Sequence, residues 1–295
     1  MRPRLTLSIA SVFRILGALA AVYVVLSVLA WKYQERLAFP GPRNQLPPPQ
    51  DFGIRDGEVI AVTTSDGLTL KGWYLPPNPA PAKGQRAPGL IWFYGNMETI
   101  RAMGAIIRDF RSPGTGLVVL DYRGYGESDG SETEAGVYRD AEAAWAYLST
   151  RPEIDSTRLA VYGHSIGGVP ALYLAERRLV RAVVLDAPFT RALDMAKVHY
   201  PWLPRFLVNL SLDNLTRAKS LRAPLLVFHG SDDRIVPLSM GVTIATAGRG
   251  DLVVLPGAGH NDTYDVGGLA YRDRVWSFLA GELEDGESGR GKREK

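Results

Sequence analysis

The sequence predicts an α/β fold built on a mostly parallel, doubly wound sheet, and three observations carry that reading. Short apolar runs rich in Val recur between residues 51 and 282, stretches of helical periodicity separate them, and a Gly-x-Ser-x-Gly pattern falls where one run turns into an apolar helix. With 46% hydrophobic and 22% charged residues over 295 positions, the chain can bury a large core and is neither disordered nor collagen-like.

Residues 1–14 form a basic N-terminal segment. Ile15 to Trp31 then run 17 residues without a charge between Arg14 and Lys32. As a helix this run spans about 25 Å, the short end of a bilayer crossing. A cleaved signal peptide is the alternative, because Val28-Leu29-Ala30 loosely fits a small-x-small cleavage site. The length of the run and the bulky Trp31 favour a retained transmembrane anchor. Arg2, Arg4, Arg14 and the terminal amine precede the run, whereas Lys32, Arg36 and Arg43 follow it. That bias of about one charge puts the N-terminus inside and the body on the extracytoplasmic side. Residues 32–50, with Pro40, Pro42 and the Pro47-Pro48-Pro49 run, read as a stiff extended linker holding the body off the membrane. The folded domain is expected to begin near Asp51 and to end at 282.

Within the body, Glu58–Thr64 and Leu68–Leu75 flank Ser65-Asp66-Gly67, a hairpin signal. Strands are predicted over Leu90–Tyr94, Leu117–Asp121, Leu159–Gly163, Ala182–Asp186, Leu225–Gly230 and Leu252–Pro256. The clearest helix, Glu134–Ser149, is read as opened by a capping box at Ser131-Glu132-Thr133-Glu134. Residues 188–224 form a short cap insertion, and residues 283–295, mixed in charge and broken by glycine, read as a disordered tail.

Charge and cysteine content narrow the chemistry. The formal net charge is +3, but the first 43 residues hold six Lys/Arg against Glu35 alone, so the remainder is net negative. A phosphate-tracking surface on the body, and with it a nucleic-acid partner, is disfavoured. The absence of Cys removes thiol nucleophiles, disulfides, iron–sulfur clusters and Cys-based zinc sites, leaving imidazole chemistry to His164, His199, His229 and His260.

Sixteen serines and 31 glycines in 295 residues give about 0.2 chance matches to Gly-x-Ser-x-Gly. The chain has two. Gly126-Glu127-Ser128-Asp129-Gly130 has no apolar run directly before it, and its serine stands between two acids that would oppose an alkoxide, so Ser128 reads as a turn residue. Gly163-His164-Ser165-Ile166-Gly167 follows a strand and opens a helix, the setting of a nucleophile elbow. There the glycines make room for a strained turn, Ser165 projects its Oγ, and the Ile166 N–H points at the developing oxyanion. Such a serine needs a base oriented by an acid, each just past a later strand. Asp232 and Asp233 compete for the acid after Leu225–Gly230; His260, on the Gly-rich loop after the last strand, is the base. His229, ending a strand, reads as a packed structural histidine.

In order, Tyr94-Gly95-Asn96-Met97-Glu98, DYRGYGESDG at 121–130, GHSIGG at 163–168, HGSDDRIVP at 229–237 and GAGHND at 257–262 resemble the α/β-hydrolase serine hydrolases, specifically their membrane-anchored ABHD branch, which includes bud-emergence-type proteins and protein depalmitoylases. The resemblance implies an α/β-hydrolase fold. It assigns the acid to Asp233, three residues before the Val236-Pro237 pair, and the second oxyanion N–H to Asn96. Tyr94 departs from the histidine with which the family's oxyanion loop usually begins, and DYRGYG reads as a structural turn with Arg123 and Asp121 as internal partners. The expected activity is hydrolysis of a carboxylic ester or thioester with an apolar acyl group through Ser165, His260 and Asp233, without metal or organic cofactor. Tyr94, Trp202 and Phe206 are candidate substrate contacts, the last two in an aromatic cluster suited to an acyl pocket or to lipid. A peptidase or amidase on the same triad and a silent membrane-tethered binding module are the competing readings.

Overall fold

The computed structural model describes residues 8–283. The residues 1–7 of the basic segment and the tail from 284 onward lie outside the described residues. The sequence folds into an eight-stranded sheet: β1 (Glu58–Thr63), β2 (Thr69–Leu75), β3 (Ala87–Phe93), β4 (Gly116–Leu120), β5 (Ile154–His164), β6 (Ala182–Asp186), β7 (Leu225–Gly230) and β8 (Asp251–Leu255). The spatial order is β1-β2-β4-β3-β5-β6-β7-β8; only the β1/β2 and β2/β4 pairs are antiparallel. All eight predicted strands are present, and the sheet is that of the α/β-hydrolase fold.

Among the described residues eight α-helices accompany the sheet: α1 (Ile9–Ala38), kinked at Tyr33, α2 (Ile100–Phe110), α3 (Glu134–Ser149), α4 (Gly168–Arg177), α5 (Ala192–His199), α6 (Asn214–Ser220), α7 (Leu238–Gly248) and α8 (Thr263–Leu283), broken at Gly268. Because β3 to β7 are covered on both faces, they read as unbroken apolar runs rather than alternating ones. On the α2/α8 side the cover is aromatic: Trp92 lies 4.8 Å from Phe110 and 4.9 Å from Tyr162, and Phe228 lies 4.1 Å from Tyr271. The hairpin turn forms as expected, with Gly67 at φ +83° and the Thr64 hydroxyl donating to Asp66 Oδ1 at 2.6 Å.

Three expectations are corrected. The capping box does not form: Thr133 caps α3 by accepting from the Gly136 N–H, while the Glu134 carboxylate turns outward to accept from Ser211 and Leu212 N–H. Tertiary donors have outcompeted the local one. Arg123 and Asp121 are internal but do not pair with each other. Arg123 binds Asp66 and Asp140, whereas Asp121 accepts from the Tyr94 hydroxyl and the Ile100 N–H.

The linker is not a spacer. Residues 32–38 continue α1, and the proline-rich stretch lies on the body: Phe39 is 1% exposed, the Pro42 carbonyl accepts from Gly126 N–H, Arg43 donates to the Ser128 and Gly130 carbonyls, and the Pro47 carbonyl accepts from Trp73 Nε1. A pre-extended proline segment loses little entropy on docking and offers carbonyls with few competing N–H groups. The body therefore starts before Asp51 and packs along the C-terminal half of the apolar helix, from Tyr23 onward. That helix is 30 residues long, about 45 Å at ~1.5 Å per residue, and Ile9, Phe13, Leu16, Leu19 and Val22 are all more than half exposed. It fits a single-pass membrane anchor.

Candidate active site

The carboxyl ends of β5, β7 and β8 bring three side chains together. Ser165 follows β5 in a tight 3-10 turn before α4, at φ +51°, a left-handed conformation rare for a residue with a side chain. The turn closes only because its flanking glycines lack a Cβ: one on Gly163 would strike the Gly167 backbone, and one on Gly167 would strike the Phe93 and Tyr94 carbonyls at the end of β3. His260 Nε2 lies 2.9 Å from Ser165 Oγ, and its Nδ1 lies 2.7 Å from Asp233 Oδ2. The partners fix the tautomer: Nδ1–H donates to the carboxylate, leaving Nε2 to accept from the serine hydroxyl.

Asp233, not Asp232, turns to the histidine. Asp232 is exposed and accepts from the Ser231 hydroxyl. Asp233 Oδ1 accepts from Ile235 and Val236 N–H, each at 2.8 Å, and Oδ2 also lies 3.3 Å from His229 Nε2. Burial would raise its pKa, but the hydrogen bonds from His229 and His260, with the Val236 amide, hold the carboxyl well below the usual carboxylate range. His229 is wholly buried, as expected of a structural histidine, and shares its Nε2–H between the Val236 carbonyl at 2.9 Å and the Asp233 carboxylate. Ser128 is also structural: its hydroxyl donates to the Asp121 carbonyl and accepts from Lys71 N–H.

Ser165 and His260 line a cavity of about 710 Å³ whose wall also includes Asn96, Ile166 and Trp202. Phe206 stands outside that wall with 82% of its surface exposed. Tyr94 is corrected: it is fully buried and makes no part of the wall. Its hydroxyl is drawn away to Asp121, whose carboxyl burial pushes up to about 6.

Sequence reasoning gave no role to Glu98 and treated His164 only as an elbow position. His164 Nε2 donates to the His260 carbonyl at 3.1 Å, and its Nδ1 faces the Glu98 carboxylate at 3.4 Å; Glu98 in turn accepts from Gly95 N–H at 2.5 Å. Both ring nitrogens face acceptors. Burial opposes the charge, but the Glu98 carboxylate overcomes it and raises the His164 pKa to about 9. This imidazolium ties the 95–98 loop to the loop that carries His260. The adjacency was hidden because 66 residues separate its partners in the chain.

The pair fixes a pH window. His164 is raised above its ordinary 6.5, so its contribution to stability is complete below about 6.5 and is lost as pH climbs through about 9. The Glu98 carboxyl is lowered, burial notwithstanding, chiefly by His164, so on the acid side the contribution holds above its ordinary 4.5 and fades only as pH falls through the lower folded value. The gap in denaturant midpoint between the native chain and Glu98→Gln is expected to be widest between about pH 5 and 6.5 and to close by pH 10. A gap that widens over that alkaline range would contradict the ion pair.

A family model described as serine aminopeptidase, S33, matches residues 88–217. Protein bem46 of Schizosaccharomyces pombe is 31% identical over 282 residues, covering 90% of this chain and 91% of its own. Human alpha/beta hydrolase domain-containing protein 17B is 34% identical over 197 residues, covering 66% of this chain and 67% of its own. Among solved structures, an esterase of Pyrococcus furiosus superposes with a TM-score of 0.67 at 22% identity, over 82% of this chain and 97% of that one, a likeness of fold.

Proposed function

The chain belongs to the ABHD branch of the α/β-hydrolase family, a family of hydrolases, and from that premise we propose that it is a serine hydrolase cleaving carboxylic esters or thioesters with an apolar acyl group. The observation that carries the reading is the chain of contacts from Ser165 through His260 to Asp233, at 2.9 and 2.7 Å, opening on an apolar cavity. Ser165 Oγ attacks the acyl carbonyl carbon and its proton passes to His260 Nε2. The Asp233 carboxylate stabilises the imidazolium so formed, and the Asn96 and Ile166 N–H groups take the oxyanion. The tetrahedral intermediate collapses with the alcohol or thiol leaving on the proton from His260, and the acyl group stays on Ser165 as an ester. Water then attacks that ester with His260 as base, releasing the carboxylic acid and restoring the serine.

The family model's description raises aminopeptidase activity. An aminopeptidase must bind a substrate ammonium, and that group calls for a carboxylate. Among the described residues, the cavity wall holds no Asp or Glu. The wall supports an acyl substrate instead. Assayed on p-nitrophenyl esters, acyl thioesters and aminoacyl anilides, the full chain is expected to cleave the first two and spare the third; preference for the anilides would overturn the proposal.

We place the body on the extracytoplasmic side of the membrane carrying α1, from the one-charge bias about the span. Protease added to spheroplasts is then expected to remove the body. A body protected until lysis would reverse the orientation.

A further inference from the structure

The cavity that holds Ser165 is walled by the membrane anchor itself. Leu26, Leu29, Ala30, Tyr33, Gln34 and Leu37 of α1 line it, at the spacing of one helix face. Trp202, Leu203, Leu207 and Val208 of the cap lie across from them. Specific contacts hold the helix in that place. The Tyr23 hydroxyl donates to the Trp202 carbonyl at 3.1 Å, and Gln34 Oε1 accepts from Asn209 and Leu210 N–H at 2.7 and 3.1 Å. Glu35 Oε1 accepts from the first N–H of α3 at 3.2 Å. Yet the wall is not sealed: Leu26, Leu29, Leu37 and Trp202 keep between 44% and 54% of their surface exposed.

Depth gives this arrangement its meaning. Tyr23 is the midpoint of the uncharged run from Ile15 to Trp31, so the cap residue it holds lies level with the run, about 12 Å from either end. The cap lip therefore meets lipid rather than water, and its side chains suit that: Tyr200, Trp202 and Phe206 expose 44%, 44% and 82% of their largely apolar surface. An apolar slot that begins on the lipid-facing helix and ends at Ser165 would admit an acyl chain sideways out of the bilayer.

We propose that α1 is one wall of the acyl-chain site as well as the anchor, and that the substrate is a long-chain acyl ester or thioester resident in the same membrane. This assignment rests on the serine-hydrolase reading, and the experiment separates the two. The full-length chain is reconstituted in phosphatidylcholine vesicles with p-nitrophenyl esters of four to sixteen carbons. The native chain is expected to prefer sixteen carbons. Ala30→Trp, which fills the slot from α1, should lower the C16-to-C4 ratio of kcat/KM at least about ten-fold. Leu19→Trp, on the same helix but outside the cavity wall, should leave the ratio unchanged. Should Ala30→Trp fail to fold, the cysteine-free chain offers a second readout: a long-chain alkyl fluorophosphonate should shield Ala30→Cys from N-ethylmaleimide where an ethyl fluorophosphonate does not. Equal shielding, or an unchanged ratio in a folded Ala30→Trp, would overturn the role of α1. A native chain that cleaves no ester of any length would instead overturn the hydrolase reading. To identify the carrier of the chain, a monoacylglycerol and an S-palmitoyl peptide are presented in the same vesicles. Cleavage of either supports a bilayer-resident substrate, and cleavage of neither by a chain active on C4 would contradict it.

Discussion

Ser165→Ala is expected to lower kcat by about 10⁴–10⁶-fold without unfolding the protein. The size of the loss follows from the way the three groups act together: without the Oγ there is no covalent step for His260 and Asp233 to assist, and what remains is cavity binding plus the oxyanion donors. Folding should survive because nothing about the turn depends on the hydroxyl. The φ of +51° is imposed by Gly163 and Gly167 and by β3 beneath them, and an alanine Cβ suffers there as the serine Cβ does. The variant should keep the native thermal midpoint to within a few degrees while p-nitrophenyl butyrate hydrolysis disappears. Retention of more than a hundredth of the rate would remove Ser165 from the chemistry.

The two neighbouring aspartates make the second large prediction. Asp233→Asn should cost about 10⁴-fold in kcat, because an amide at this position can donate to His260 Nδ1 and so favour the wrong tautomer, and it cannot stabilise the imidazolium. It also replaces an acceptor-only carboxylate, on which Ile235, Val236, His229 and His260 all converge, with a group carrying two donors. Asp232→Asn changes only an exposed contact with the Ser231 hydroxyl and should leave kcat within about two-fold. Parallel kinetics on the two variants decide it, and the reverse order would mean that the other neighbour is the acid.

Much of this site was legible in the chain. Strands covered on both faces announce themselves as short apolar runs, which made β3 to β7 legible, while the turn at Ser65-Asp66-Gly67 gave β1 and β2; the order Ser165, Asp233, His260 along the later strand ends could be read once the elbow was recognised. The glycines at 163 and 167 were legible because their reason is steric and local. What escaped was tertiary. A helix apolar on every side has no polar face to contrast with, so the stripe of α1 that lines the cavity looked like any other part of a span. The docking of residues 39–50 is made largely by backbone carbonyls, Pro42 and Pro47 among them, which no side-chain pattern records. Glu134 fitted a capping box until Ser211 and Leu212 offered it better-placed donors. Tyr94 stood at the head of the loop beside the nucleophile, but only the structure reveals that its ring turns into the core toward Asp121.

The central claim is that Ser165 becomes covalently acylated through a base held by Asp233, and a labelling experiment on the full chain addresses it most directly. The protein in vesicles is treated with an alkyl fluorophosphonate, digested, and the modified peptide located by mass spectrometry, alongside His260→Ala and Ser128→Ala. One adduct on the Ser165 peptide is expected, retained in Ser128→Ala and slowed by at least about a hundred-fold in His260→Ala. An adduct on Ser128, or labelling of Ser165 at an unchanged rate in His260→Ala, would contradict the account.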